Sequence, residues 1–416
     1  MERYEISGGR AIDGKIKVSV AKNAVLPLLA SAILTNEEVC IRECPKISDV
    51  KNMSKILESI GAEISVADSG LVINPQSVNS FVIEEDLAKE LRSSVFMLGA
   101  LISRFGRATI AYPGGCAIGL RPIDIHLNAL KQLGVNVSEE NGKIKCDASN
   151  KKSGEVYLDF PSVGATENLM IASVFTKGET VVKNAAKEPE VKDLMNFLNS
   201  MGAKIVGAGT DTVRITGVKR LYGTTYRPIP DRIEAGTYLI ATAMTGGEIE
   251  LSGVNPENIS ALIHKLCNNT CKISLNNDII YLKCGRVRKA FTIETNPYPG
   301  FPTDLQSQMT ALASISKGTS FITENVFEMR FKYAQEMVKM GADVKLYGRT
   351  AIVKGVKGLH GATVCAPDLR GGAALILCAL VAEGKTVIED IKFIERGYAE
   401  IDKKFQALGV NLIRKS

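Results

Sequence analysis

Six times along the chain, a short run of small and apolar residues breaks at glycine or polar positions and continues as a charged, β-branched stretch. The copies read "LLASAILTNEEVCIREC", "FMLGALISRFGRATIAYP", "LMIASVFTKGETVVKNA", "YLIATAMTGGEIELSGV", "TALASISKGTSFITENV" and "LILCALVAEGKTVIEDI". Each predicts a buried helix, a break and a strand. A second helix follows, with a shared ending: "ILESIGA", "ALKQLGV", "FLNSMGA", "EMVKMGA" and "KFQALGV", the fourth copy departing with "KLCNNT". A glycine just past the last apolar turn is a helix C-cap. Polar turns such as "ADSG", "ENG" and "NND" then predict a hairpin of two short strands.

The capping glycines fall at Gly61, Gly134, Gly202, Gly341 and Gly409, which sets a repeat of about 70 residues and fills the chain with six copies. One such unit cannot bury both of its faces alone, so copies must pack on one another, as a solenoid or as a closed three-fold group made twice. The proline-bearing segment "GTTYRPIPDR", residues 223–232, reads as a linker at the midpoint. It favours two three-repeat domains, 22–229 and 1–21 with 230–416. The short N-terminal strand has its counterpart at the end of copy six, so the first 20 residues are expected to pair with the second domain.

Composition narrows the class. With 51 basic and 45 acidic residues in 416, the net charge of +6 is modest and suits local sites for small anions, not a nucleic-acid surface. The nine cysteines are scattered without zinc-ribbon spacing, and read as free thiols of a reducing cytosol. The opening "MERYEISGGR" has no apolar core and is not read as a signal peptide, and the ten residues of "AALILCALVA" are too few to span a bilayer.

Polar, reactive side chains recur where each first helix begins: "AKNAVLP", "ELRSSVF", "SVGATEN", "DRIEAGT", "PTDLQSQ" and "PDLRGGA". Others open the second helices, in "PKISDV", "RPIDIH", "FEMRFK" and "IERGYA". Helix N-termini present unpaired N–H groups and the positive end of the dipole, so they attract anions. Ser162, Asp304 and Asp368 each read, taken singly, as ordinary N-caps. Capping does not account for Lys22, Arg92, Arg121, Arg370 and Arg396, since cations are disfavoured there unless something negative binds.

Seven motifs in order, "AKNAVLP", "ELRSSVFMLG", "PGGCAIGLRPIDIH", "SVGATEN", "PIPDRIEAGT", "GFPTDLQSQM" and "APDLRGGAALI", resemble the UDP-N-acetylglucosamine 1-carboxyvinyltransferase family of enolpyruvyl transferases along essentially the whole chain. The resemblance implies an α/β fold of the inside-out barrel type, with six repeats in two domains and substrates between them. It implies transfer of the enolpyruvyl group of phosphoenolpyruvate to the 3-hydroxyl of UDP-N-acetylglucosamine with release of phosphate. That is the first committed step of peptidoglycan synthesis, and it runs by addition and elimination through a tetrahedral intermediate.

Roles carry over residue by residue. Cys116 matches the loop cysteine that protonates phosphoenolpyruvate and forms a covalent adduct with it, and it would be the thiol alkylated by fosfomycin. Lys22, Asn23, Arg121 and Arg396 match phosphoenolpyruvate contacts. Asp304 matches the base that takes the hydroxyl proton. If it were also a cap, Asp304→Asn would keep a capping oxygen and most of the stability. Arg92, Arg121, Pro122, Ile123, Asp124, Ile125, Ser162, Val163, Gly164, Asp304 and Val326 match contacts to the sugar nucleotide. Asp368 and Arg370 resemble charged groups of the cleft wall, and Glu328 and Glu188 are weaker matches.

No cofactor, metal or obligatory protein partner is implied, nor a membrane span or nucleic acid, and the location is cytoplasmic. The chain departs from the family at Phe160, where some members carry a lysine, and at Phe96, where some carry tryptophan. His126 is expected in helix packing, and His264 and His360 as structural or surface residues. The sister enzyme acting on shikimate 3-phosphate is a rival whose lysine–serine and glycine–threonine motifs are missing here. A non-catalytic sugar-nucleotide-binding paralogue is another, and it would have no need for Cys116, Asp304, Lys22 and Arg396 together.

Overall fold

The computed structural model describes residues 2–114, 123–269, 271–285 and 288–415. They fall into two compact units. One takes the residues up to Ser19 and those from Pro230 onward; the other runs from Val20 to Ile229.

The repeat is built as its pattern demands. In copy three, the helix Val163–Ser173 leads to the strand Glu179–Lys183, the helix Pro189–Ser200, and the strands Lys204–Val206 and Thr212–Thr216. The first helix is buried along nearly its whole length, whereas Thr212–Thr216 alternates between buried and exposed positions. Helices therefore lie inside and sheets outside, each sheet with one face on the helices and one in water. In the Val20–Ile229 unit the first helices Lys22–Ser31, Phe96–Phe105 and Val163–Ser173 pack on one another. In the other unit Arg232–Thr245, Gln306–Ser314 and Leu369–Val381 do the same. All five predicted capping glycines take left-handed backbone, with φ of 103°, 81°, 100°, 91° and 79° in chain order, which side chains with a Cβ rarely adopt.

Every repeat sheet but that of copy two also carries a short strand ahead of the first helix, too brief to show in the apolar pattern; in copy two a single bridge, Val82 to Thr109, stands in its place. Glu155–Tyr157 runs parallel to Glu179–Lys183 in this way, and Thr292–Glu294 parallel to Thr319–Thr323. At the two points where the chain passes between units, this strand is exchanged. Asp13–Lys17 precedes the first helix of copy one but pairs with Glu248–Ser252 of copy four. Thr224–Tyr226 precedes copy four but pairs with Val39–Ile41 of copy one. Arg3–Ser7 lies between Lys385–Glu389 and Asn411–Lys415, completing the hairpin of copy six.

The cysteines differ from expectation. Cys271 and Cys284 are joined as a disulfide, directly opposite each other on the strands Cys271–Asn276 and Ile279–Cys284 of the copy that lacks the capping glycine. Spacing along the chain concealed what strand register brings together, and the cysteines no longer argue for a reducing compartment. Among the described residues the six other cysteines are free thiols.

Candidate active site

In the Val20–Ile229 unit, Lys22 is the first residue of its helix and its Nζ lies 2.6 Å from Asp49 Oδ2. Both side chains are largely buried, at 11% and 2% exposure. Asp49 stands in the first turn of the second helix, Ser48–Ser59, so a carboxylate at one helix start fixes the ammonium at another. Asn23 beside it is exposed, and Pro27 removes the ladder donor four residues further on.

Ser162 caps Val163–Ser173, its side chain accepting from the Ala165 N–H at 3.3 Å. A Cβ on Gly164 would come within 3.0 Å of the His126 ring. His126 itself is buried and paired with Asn168 at 3.1 Å, and Asn168 Oδ1 accepts from Gly99 N at 2.8 Å. That is the packing role expected of it, and it brings the second and third first-helices together at their N-terminal halves. Arg92 is half-buried at the start of the turn Arg92–Val95, Phe96 is buried, and Phe160 is exposed. Ile123 is buried, and Asp124 and Ile125 open the helix Asp124–Gln132. Cys116, Arg121 and Pro122 lie outside the described residues.

Glu188 holds the N-cap position ahead of Pro189. With Glu190 and Asp193 it faces the buried Glu167, whose carboxyl is pushed well above the usual range by burial and by those neighbours. Asp193 is pushed up to about 7 by burial, against the hydrogen bonds it accepts from Tyr226 Oη at 2.7 Å and Ile229 N at 3.3 Å.

In the other unit, Asp304 sits in the turn Thr303–Leu305, whose N-cap position is held by Pro302. Its carboxylate is committed to two arginines, Oδ1 to Arg330 at 2.8 Å and Oδ2 to Arg370 at 3.0 Å. Both guanidiniums are 4% exposed and the carboxylate 24%. Burial alone would raise the Asp304 pKa; the Arg370 and Arg330 charges outweigh it and hold the group far below the usual carboxylate range. Arg330 Nε and Arg370 Nη1 have no hydrogen-bond partner among the described residues, so donors remain for a further acceptor.

Arg370 is positioned from below. Asp368 caps its helix, Oδ1 accepting from the Arg370 and Gly371 N–H groups at 3.0 Å each. The Arg370 carbonyl accepts from Ser307 Oγ at 2.9 Å. The buried polar run of "TDLQSQM" thus ties the copy-five and copy-six helices together. Asp231 caps Arg232–Thr245. Glu234, one of the recurring markers, is structural: it accepts from Ser19 N at 2.7 Å and pairs with Lys404. Arg396 is half-buried in the turn before Ile401–Ala407. Val326 lies in a turn whose N–H groups bind Glu324. Glu328 is exposed, 3.8 Å from Arg349. His264 and His360 are exposed, His264 lying 3.0 Å from Asn268.

Sequence reasoning assigned no role to Asp49, Arg330 or Glu324. The first two lie in "PKISDV" and "FEMRFK", which it had marked only as polar helix openings. A cavity of about 670 Å³ lined by Ser260, His264, Lys265, Glu294 and Phe301 holds none of the predicted site residues. Among the described residues no group of three or more acidic, histidine or cysteine side chains is placed to hold a metal, and no helix is long and apolar enough to cross a membrane.

The family model for EPSP synthase (3-phosphoshikimate 1-carboxyvinyltransferase) matches residues 6–405. The UDP-N-acetylglucosamine 1-carboxyvinyltransferase 2 of Caldanaerobacter subterraneus subsp. tengcongensis is 48% identical over 415 residues, covering 100% of both chains. The protein of the same name from Clostridium tetani is 46% identical, again with 100% of both chains covered. Among solved structures, the enolpyruvyl transferase NikO from Streptomyces tendae superposes with a TM-score of 0.88 at 22% identity, over 100% of this chain and 99% of that one. EPSP synthase from Acinetobacter baumannii gives 0.74 at 14% identity with full coverage of both. These likenesses give the fold, the inside-out α/β architecture of the enolpyruvyl transferases. End-to-end identity near one half then gives the relationship: the chain belongs to the UDP-N-acetylglucosamine 1-carboxyvinyltransferase family of enolpyruvyl transferases.

Proposed function

We propose that this protein transfers the enolpyruvyl group of phosphoenolpyruvate to the 3-hydroxyl of UDP-N-acetylglucosamine and releases phosphate. The observation that carries the reading is the Asp304 carboxylate held between two buried guanidiniums, in a chain 48% identical throughout to a protein named for that reaction.

In the addition step, the sugar oxygen bonds to the central carbon of phosphoenolpyruvate while a proton reaches its methylene carbon. Lys22 and Asn23 hold the phosphate and carboxylate of phosphoenolpyruvate at a helix start, with Arg121 and Arg396 as further cations. Cys116 supplies the proton. Asp304 accepts the hydroxyl proton. So strongly paired a carboxylate is a weak base, but it need not deprotonate a free alcohol. As the C–O bond forms, the sugar oxygen becomes oxonium-like and gives its proton even to a weak base. Both arginines also fix where that base points. In the elimination step, the new methyl group returns a proton to the Cys116 thiolate, the C–O bond to phosphate breaks, and phosphate leaves. Arg92, Arg121 to Ile125, Ser162 to Gly164 and the Val326 backbone hold the nucleotide sugar. Asp368 and Arg370 shape the charge around Asp304. Phe160 offers no charge to the diphosphate. Phosphoenolpyruvate is a metabolite of the cell interior, which places the reaction in the cytoplasm.

The test is covalent. Incubation with phosphoenolpyruvate and UDP-N-acetylglucosamine should add mass at Cys116 by intact-protein and peptide mass spectrometry. Cys116→Ser should abolish the adduct and cut turnover, because a serine hydroxyl is a far poorer acid and nucleophile near neutral pH. Fosfomycin should alkylate the same thiol. An adduct that persists in the serine variant, or labelling confined to another cysteine, would overturn the assignment.

A further inference from the structure

Glu324 follows the strand Thr319–Thr323 and is 1% exposed. A carboxylate taken that far out of water must be compensated. Here four donors do so. Oε1 accepts from Thr295 Oγ1 at 2.9 Å, Val326 N at 2.8 Å and Phe327 N at 3.0 Å. Oε2 accepts from Thr303 Oγ1 at 2.9 Å. Thr295 Oγ1 in turn accepts from Asn325 N at 2.9 Å. One buried group thus fastens three segments: Thr295, just after the strand Thr292–Glu294; the turn that carries Asp304; and the Asn325–Phe327 turn.

The copies do not all make the turn after this strand alike: in copies two and five the residue there, Tyr112 and Glu324, is not left-handed. In copies three, four and six, the residue straight after the corresponding strand takes left-handed backbone, at Asn184 (φ 54°), Gly253 (φ 67°) and Asp390 (φ 56°). Glu324 is not among the left-handed residues. Where copies three, four and six turn the chain by backbone shape, copy five turns it by a side-chain clamp, and the clamp reaches the two turns that carry Asp304 and Val326.

We propose that Glu324 is a positioning residue for the sugar nucleotide, setting the Val326 turn and the Asp304 turn relative to each other. The inference rests on the functional reading above, in which the Val326 backbone contacts the sugar nucleotide and Asp304 meets its hydroxyl. Glu324 touches neither substrate; it acts through the groups it holds. Glutamine at this position keeps the oxygen that accepts the three Oε1 bonds, and its amide can donate to the Thr303 hydroxyl. Alanine keeps nothing.

The experiment compares Glu324→Ala and Glu324→Gln in initial rates with each substrate varied. Binding of UDP-N-acetylglucosamine without phosphoenolpyruvate is measured by calorimetry, and hydrogen exchange at the Val326 and Phe327 amides is followed. In the alanine variant, KM and Kd for the sugar nucleotide should rise on the order of tenfold, the scale of a few lost charge-assisted hydrogen bonds, while KM for phosphoenolpyruvate stays nearly unchanged. Val326 and Phe327 should exchange faster. Glutamine should restore both readouts. Thr303→Ala, which removes one hydroxyl, should repeat the split at smaller size if the alanine variant at 324 does not fold. Equal movement of both KM values, or unchanged exchange at Val326 and Phe327, would overturn the proposal. If wild-type protein bound no UDP-N-acetylglucosamine, the functional reading would fall, while the exchange data would still report whether the clamp exists.

Discussion

Changing Asp304 to asparagine separates a structural carboxylate from a chemical one. Were Asp304 an N-cap, asparagine would serve nearly as well, and even complete loss of a cap costs about 1 kcal/mol. The structure gives a different ledger, because Pro302 holds the cap position and the carboxylate faces Arg330 at 2.8 Å and Arg370 at 3.0 Å. Asparagine leaves two guanidiniums, each 4% exposed, without the charge that compensates them. Breaking a buried pair costs roughly 3–5 kcal/mol, and the 24% exposure of Asp304 argues for the lower end, about 3 kcal/mol. For a unit of about 200 residues that is a fall in Tm of roughly 6–12 °C. Because the folded carboxyl is held below its ordinary range, its stabilisation is present above the ordinary carboxylate pKa and lost only as pH falls through and below it. The variant should lack that acid limb. Turnover should drop by about a hundredfold or more. The double variant Asp304→Asn, Arg330→Gln removes one charge of each sign and should recover at least half of the lost Tm with no recovery of turnover. Calorimetry and a steady-state assay read both. A single variant melting within a degree of wild type would refute the ion-pair reasoning, and near-normal turnover would remove Asp304 from the chemistry.

Two more outcomes follow from the other unit. Asp49→Asn removes the carboxylate that holds Lys22, so KM for phosphoenolpyruvate should rise on the order of tenfold with little change in sugar-nucleotide binding; equal loss for both ligands would count against a role specific to Lys22. Asp193 is raised to about 7, so between its ordinary value of 3.8 and that value the fold binds a proton that the unfolded chain does not. Stability should therefore fall as pH rises from about 4 to 7, by up to about 4 kcal/mol, and Asp193→Asn should flatten that slope in denaturant titrations across the range; an unaltered slope would assign the titration to another group.

How much of this was legible depended on how local each feature is. The capping glycines, and the caps at Ser162 and Asp368, are decided within one helix turn, so their residue types announce them. Asp304 misled as a candidate cap because its helix begins one residue earlier than the motif suggests, in the turn Thr303–Leu305 after Pro302. The partners that define the site's charge, Asp49 on a second helix for Lys22 and Arg330 in the turn before a second helix for Asp304, sit 27 and 26 residues away and become visible only when the repeat closes on itself. The exchange of Asp13–Lys17 and Thr224–Tyr226 between sheets, and the pairing of Cys271 with Cys284, depend on strand order and register, which periodicity does not encode.

The central claim is a coupled reaction, and phosphate release tests it most directly. Purified protein given phosphoenolpyruvate and UDP-N-acetylglucosamine together should release one phosphate per enolpyruvyl sugar nucleotide formed, with neither substrate alone sustaining turnover and fosfomycin pretreatment abolishing it. Phosphate release that ignores the sugar nucleotide, that responds instead to shikimate 3-phosphate, or that is absent when both substrates saturate would contradict it.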